Sequence, residues 1–344
     1  MKEPSMIERK HKYLLFSILA TILCTLLIIN VTQVLAEENQ IDEEQFEDAK
    51  QLYYQDSIEE AISKLQGIID KYPSSKVAIK SQYLMGLIYR DKNPRKAIKI
   101  FAALAANFLD TYLAPPSQFM IGGCYQNLGR PQKAIAAYRE VIRQFPNSEE
   151  APDAQLRIGD ILEFELENYK QAVKEYQSFI RNYPKNRGVW RALTNIEYIY
   201  VKKLKDIKEA IAIYRKFITD YPDNKYIVRA QYEIGWLYIY LGNTHYAQAT
   251  KEFQKVINQF PKTKFKKYAQ DNIALIKKGE MKIVTKQVIP KHWDLYTLKQ
   301  TGEYHLSPKG TILIDHKTNS LIINDYLPMA TTIKNILNQI DSIE

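Results

Sequence analysis

The chain has 344 residues, 46% of them hydrophobic and 25% charged, with a formal net charge of +9. That balance excludes a disordered or collagen-like polymer and leaves room for two or three folded domains. Of two cysteines, Cys24 lies in an N-terminal leader, so the remainder holds only Cys124 and must be stabilised by packing, not by disulfides.

In the leader, Lys2, Arg9, Lys10 and Lys12 precede an uncharged run from Tyr13 to Ile29, and Val34-Leu35-Ala36 comes just before Glu37-Glu38. A basic flank, an apolar stretch and small residues at −3 and −1 predict an export signal over 1–36, cleaved after Ala36. The 17-residue run also approaches the length of a membrane span, so the alternative is an uncleaved anchor. Either way the basic end stays inside and the bulk is exported, which disfavours nucleic acid as a partner. Cys24 follows Leu23 and not a small residue, which argues against lipid attachment there.

From 43 to 279 one pattern recurs six times. Alanines stand at Ala61, Ala97, Ala134, Ala172, Ala210 and Ala249, with Leu65, Phe101, Tyr138, Tyr176, Tyr214 and Phe253 four residues on. Twelve residues after each alanine come Pro73, Leu109 (the one exception), Pro146, Pro184, Pro222 and Pro261. The i, i+4 spacing puts alanine and ring on one helical face, and proline stops the helix. Ile68, Leu104, Val141, Phe179, Phe217 and Val256 extend the same apolar stripe. Upstream, Gly86, Gly122, Gly159 and Gly235 predict a first helix in which two backbones come close; Glu197 stands in that place in the fifth unit. Tyr268 to Lys278 reads as a closing helix. These small-residue, aromatic and proline positions resemble the tetratricopeptide repeat (TPR). The resemblance implies a mostly α fold, a TPR α-solenoid of about six helix-turn-helix repeats. The aromatic-Pro ends, such as Phe145-Pro146 and Tyr221-Pro222, are similar to those of TPR modules in bacterial envelope proteins, including outer-membrane assembly lipoproteins.

Of the 25 tyrosines, Tyr83, Tyr89, Tyr198, Tyr200, Tyr232, Tyr238 and Tyr240 fall on first helices. Most are read as packing between helices; Tyr200 and Tyr240, off the shared registers, are the candidates for a partner groove. Cys124 is read as a small buried hydrophobe. Lysines cluster between Lys262 and Lys291, as a solvated cap on the last repeat or a face for an acidic partner or anionic lipid.

After 280 the periodicity changes. Met281–Val288 alternates as a strand, His292 to about Leu298 is helical, Gly310–Asp315 and Ser320–Asn324 are strands, and 316–319 is their turn. Asp315, Thr318 and Asn319 suit a tight hairpin, and Asp325 is placed to cap a last helix bearing Ala330, Ile333, Ile336, Leu337 and Ile340. Gly310, Asp315, Thr318-Asn319, Asp325 and Ile340-Asp341, led in by Leu306-Ser307-Pro308, resemble the small periplasmic domain of bacterial secretins. Two features depart from that pattern: Pro328 falls one place late and Ala330 replaces a larger aliphatic. The resemblance implies an α+β module (β-α-β-β-α) over 281–344 that docks on secretin domains or on its own copies, with Asp315, Thr318, Asn319 and Asp325 as the docking hairpin. No β-rich barrel follows, so the expectation is a partner of such a ring and not the pore.

The function expected is a non-enzymatic periplasmic or membrane-anchored scaffold. Its array would bind a protein partner while its last domain docks on a secretin-type ring or self-associates. The alternative is a general outer-membrane or peptidoglycan-synthesis assembly factor. His11, His245, His292, His305 and His316 have no metal-ligand spacing, and no serine elbow, phosphate loop or Cys-His pair occurs, so neither an enzyme nor a cofactor is expected.

Overall fold

The alanine, ring and proline registers become helix pairs. The computed structural model describes residues 43–341 apart from 74, 292, 305, 308, 309, 316 and 317, so the expected cleavage site at Ala36 and His11, His292, His305 and His316 lie outside the described residues. The first helices of the repeats are α1 (43–54), α3 (Lys76–Lys92), α5 (Ala114–Asn127), α7 (Glu150–Asp160), α9 (Val189–Tyr198) and α11 (Ile227–Leu241). Their second helices are α2 (Ile58–Lys71), α4 (Pro94–Asn107), α6 (Pro131–Gln144), α8 (Tyr169–Asn182), α10 (Ile207–Asp220) and α12 (Tyr246–Gln259). A closing helix, α13, covers Lys264–Lys277, starting four residues before the predicted one. This is a tetratricopeptide-type solenoid. Two compact units divide between Ala154 and Gln155, inside α7. No described helix is long and apolar enough to cross a membrane.

Each second helix ends by one recurring device. Tyr72, Phe145, Tyr183, Tyr221 and Phe260 donate the last helical N–H bond to the carbonyl four residues back, and their own carbonyls accept from Ser75, Ser148, Asn186, Asn224 and Thr263 at 2.9–3.2 Å. Proline after the aromatic suits the second position of such a turn, where its fixed φ is already correct. The unit with Leu109 closes identically, since Phe108 N–H bonds Leu104 O at 3.1 Å and Thr111 donates to Phe108 O through both N–H (2.9 Å) and hydroxyl (2.8 Å). Proline is thus a convenience at this stop and not its cause.

The glycine register corrects one expectation. A Cβ on Gly86, Gly122, Gly159 or Gly235 would come within 2.4–2.6 Å of the ring of Phe101, Tyr138, Tyr176 or Phe253. What glycine admits is therefore the ring of the second helix against the first helix's backbone, not a second backbone.

In the unit before Gln155, one core gathers Ala49, Ala61, Leu65, Leu84 and Ile88, and the next gathers Ala97, Phe101, Leu104, Ile121 and Cys124. Cys124 is fully buried, and burial pushes its thiol up to about 11, as expected for a thiol used as packing. Each such large apolar side chain contributes about 1.5–3 kcal/mol when its neighbours cover it.

In the unit from Gln155, α7 and α9 do not stop at their last α turn. Wider π turns follow, Ile161–Glu165 and Ile199–Lys203, closed by Leu166 N–H to Ile161 O at 3.0 Å and Leu204 N–H to Ile199 O at 2.8 Å. Glu167 and Lys205 then adopt φ of 49° and 58°, a left-handed corner made without glycine.

The C-terminal module consists of β1 (Ile283–Val288), α14 (Leu295–Tyr304), β2 (Thr311–Asp315), β3 (Ser320–Tyr326) and α15 (Leu327–Asp341). The sheet runs β1-β3-β2, both pairings antiparallel, with Gln287 and Leu313 flanking Ile322. Val288, Leu298, Ile312, Leu321, Ile323, Ile333 and Leu337 form its core against both helices. The helix expected from 292 begins at Leu295, where the Asp294 carboxylate accepts from Thr297 N–H at 2.9 Å.

Asp325 does not cap α15. It is fully buried in β3, and its carboxylate accepts from Ser307 N–H (2.7 Å), the Ser307 hydroxyl and Tyr326 N–H (2.7 Å), pinning the loop before β2. Gly310 leaves the room for it, since a Cβ there would lie 2.5 Å from Asp325 Oδ2. Asp341 likewise closes the turn before α14, accepting from Lys291 N–H at 2.6 Å and Trp293 N–H at 2.9 Å.

Candidate functional site

The helices α9, α11 and α13 present aromatic side chains to a cavity of about 760 Å³, which Leu306 and, from α15, Pro328, Thr331, Thr332 and Ile336 also line. Its walls are Trp190 and Tyr198 from α9, Tyr232, Trp236 and Tyr240 from α11, and Phe265 and Tyr268 from α13. Tyr232 is fixed by ring contacts to Phe253, Phe265 and Tyr268 at 5.3–6.3 Å and by a bond from Asn272 Nδ2 to its hydroxyl at 3.0 Å. The volume lies in the range of ordinary ligand pockets.

Three contacts among the described residues join the module to the repeats beside this cavity. Tyr326 stacks on Tyr240 at 6.4 Å, Lys202 Nζ donates to Ser307 O at 2.5 Å, and the Tyr246 hydroxyl donates to Met281 O at 2.9 Å.

Three carboxylates, Glu197, Glu233 and Asp271, line the same space, and burial acts on the first two. Glu197 stands where the second, third, fourth and sixth repeats carry glycine, and the Tyr214 hydroxyl donates to it at 2.5 Å. Glu233 is one helical turn from Arg229, whose Nε approaches it at 3.6 Å while the guanidinium lies 4.1 Å over the Trp190 ring. Burial raises both carboxyls above their usual range; the like charge of Glu197 adds to this at Glu233, and Arg229 opposes it at both. Burial also raises Tyr232 to about 12 and lifts Tyr214 and Tyr240 well above the ordinary phenol, so all three stay protonated.

Two other polar clusters brace the repeats. The Tyr176 hydroxyl lies 2.9 Å from both Asp160 Oδ1 and Glu163 Oε2 and accepts from Asn195 Nδ2 at 2.9 Å; burial pushes Glu163 up to about 7. Burial works against the charge of Glu252 too, but bonds from Lys255, Gln231 and Arg215 outweigh it and hold that carboxyl below the usual range.

Of the groove candidates, Tyr240 lines the cavity, whereas Tyr200 sits half-buried in the π turn after α9, where Asp206 N–H bonds its carbonyl at 2.7 Å, and is not among the lining residues. Of the hairpin residues, Thr318 donates to Asp315 Oδ2 at 2.7 Å and Asn319 takes φ 48° at the β2–β3 turn, while Asp325 lies buried at the other end of β3. The lysines from 262 to 291 are mostly exposed, and Lys264 reaches the cavity rim. Sequence reasoning gave no role to Trp190, Arg229 or Glu233, and noted Glu197 only as an irregularity; a carboxylate in a glycine register was the available signal. No group of three or more His, Cys, Asp or Glu side chains that could hold a metal occurs among the described residues.

Comparisons with known proteins follow this geometry. A tetratricopeptide repeat family model matches residues 87–149 and 125–187, and the outer membrane lipoprotein model YfiO matches 161–283, which includes α9, α11 and α13. Similar solved structures include a tetratricopeptide repeat protein from Parabacteroides merdae (18% identity, 70% of this chain and 92% of that one, TM-score 0.40). Others are pilF of Pseudomonas aeruginosa (13%, 68% and 98%, TM-score 0.40) and MamA of Desulfovibrio magneticus (18%, 52% and 93%, TM-score 0.33). No curated protein matches the chain.

Proposed function

We propose that the chain is a non-enzymatic adaptor of the bacterial envelope whose fifth and sixth repeats, with the closing helix, hold a protein partner. The observation that carries this reading is the coincidence of the outer membrane lipoprotein match, 161–283, with the helices that wall the aromatic cavity. Aromatic side chains with little rotamer freedom and partly wetted polar tips are what protein interfaces use as anchors. Export of the bulk, by cleavage after Ala36 or with the leader kept as an anchor, belongs to the same reading, and N-terminal sequencing of the exported chain distinguishes the two.

A photoreactive residue at Tyr268, which is 44% exposed at the cavity, tests the adaptor directly. A discrete crosslinked partner in cells is expected, and none at Tyr268 would end the proposal. The outer membrane lipoprotein match favours a general outer-membrane assembly factor. The β1-α14-β2-β3-α15 order and the Asp325 and Asp341 latches support the narrower version, in which the module docks on a secretin-type ring or on its own copies. Deleting 281–344 separates them: unchanged recovery of secretin-like partners removes the docking role.

A further inference from the structure

The sheet of the C-terminal module has two edges that are built differently. β1 carries Lys286 between Val284 and Val288, on the face that packs against the helices, with Lys282 and Lys291 just outside the strand. A lysine turned inward on an edge strand is a common device against further pairing. β2, the other edge, has no such device. Thr311-Ile312-Leu313-Ile314-Asp315 holds no lysine, proline or glycine, and among the described residues the only strand it pairs with is β3. Its Leu313 is 56% exposed on the sheet face turned away from the helices, beside half-buried Ile322, whose other neighbour is Gln287. An unblunted edge next to two uncovered aliphatic side chains suits the addition of one more strand.

We propose that β2 pairs antiparallel with β2 of a second copy of this chain, about a two-fold axis at Leu313, joining two three-stranded sheets into one. The proposal rests on the self-docking version of the adaptor reading and names its surface. The occupant follows from the strand's own symmetry. Reversed against itself at Leu313, the strand sets Leu313 on Leu313, Ile312 on Ile314 and Thr311 on Asp315, so within the ladder no charge faces its like. The two Asp315 residues stand about 13 Å apart along the strands. The row Gln287-Ile322-Leu313 runs on into its mate, so that Ile322 and Leu313 of both copies lie side by side and cover area that each copy alone leaves to water. The module meets the repeats at Met281, Ser307 and Tyr326, where β1 begins and β3 ends, so antiparallel pairing carries the two arrays to opposite ends of the joined sheet. A ladder of five residues is short, so the dimer is concentration-dependent. Lys309 and Lys317 flank β2 in the sequence and each copy is positive overall, so the pairing strengthens as salt screens that charge.

The test follows the full chain in mild detergent by sedimentation velocity from about 1 to about 200 µM. The wild type should pass from monomer to dimer within that range, and at lower concentration in about 500 mM salt than in about 50 mM. Leu313→Lys sets two like charges face to face and should weaken the dimer at least about tenfold, whereas Thr285→Lys on the β1 edge should leave it unchanged. Leu313→Glu should also fail to pair with itself, yet mixed with Leu313→Lys it should restore a dimer, which chains that had merely failed to fold would not do. A monomer at every concentration, a dimer indifferent to Leu313→Lys, loss through Thr285→Lys alone, or a charge-swapped mixture that stays monomeric would overturn the proposal. A monomeric chain whose secretin-like partners are lost both on deleting 281–344 and with Leu313→Lys would hand the edge to those partners, sinking the self-pairing while leaving the docking reading standing.

Discussion

Gly122 and Gly67 are both helical glycines with opposite consequences. A Cβ at Gly122 would fall 2.5 Å from the Tyr138 ring, which is itself held by a bond to Gln126 Oε1 at 2.9 Å, so neither partner can yield cheaply. Gly122→Ala should cost about 1–3 kcal/mol in urea denaturation. Gly67 is exposed on α2 with nothing within 4 Å, and Gly67→Ala should instead stabilise by about 0.5–1 kcal/mol. Equal effects at the two sites would show that the ring contact does not set the register. The spacing of these glycines was legible in the sequence, but their neighbour was not. A recurring small residue announces a close approach, and only coordinates show that a ring makes it.

Among the elements, the second helices and their aromatic-proline stops were readable because the i, i+4 stripe and the turn residues act locally. The π turns after α7 and α9 were not, since no residue type demands them; they arise where the first helix must run on before a left-handed corner at Glu167 or Lys205. The first of these turns carries Glu163. Its carboxyl rises by burial from an ordinary 4.5 to about 7, so its contribution to stability is fully present below about pH 4.5 and is lost as pH climbs through 7. The denaturation midpoint of the wild-type chain should therefore fall over that window, and Glu163→Gln should flatten the slope. A slope unchanged by the substitution would place the effect on other groups.

For the whole molecule, the sequence shows the module and the repeats separately but not that both wall one cavity, because Lys202, Tyr240, Ser307 and Tyr326 meet only across a long separation in the chain. Among the described residues one ring stack and two hydrogen bonds join the module to the repeats. Lys202→Ala with Tyr240→Ala should speed hydrogen exchange at Ser307 and Gly310 by roughly tenfold with little change in the repeats. Exchange unaltered at those amides would mean that the module is held elsewhere. The buried thiol has a practical corollary. Sulfur chemistry runs through the thiolate, and a group held near 11 is ionised to roughly one part in ten thousand at neutral pH. Cys124 should therefore ignore maleimides and peroxide alike, so in a chain that has lost the leader and its Cys24, a cysteine introduced at an exposed place such as Tyr268 could carry a spin label or fluorophore without Cys124 first being removed.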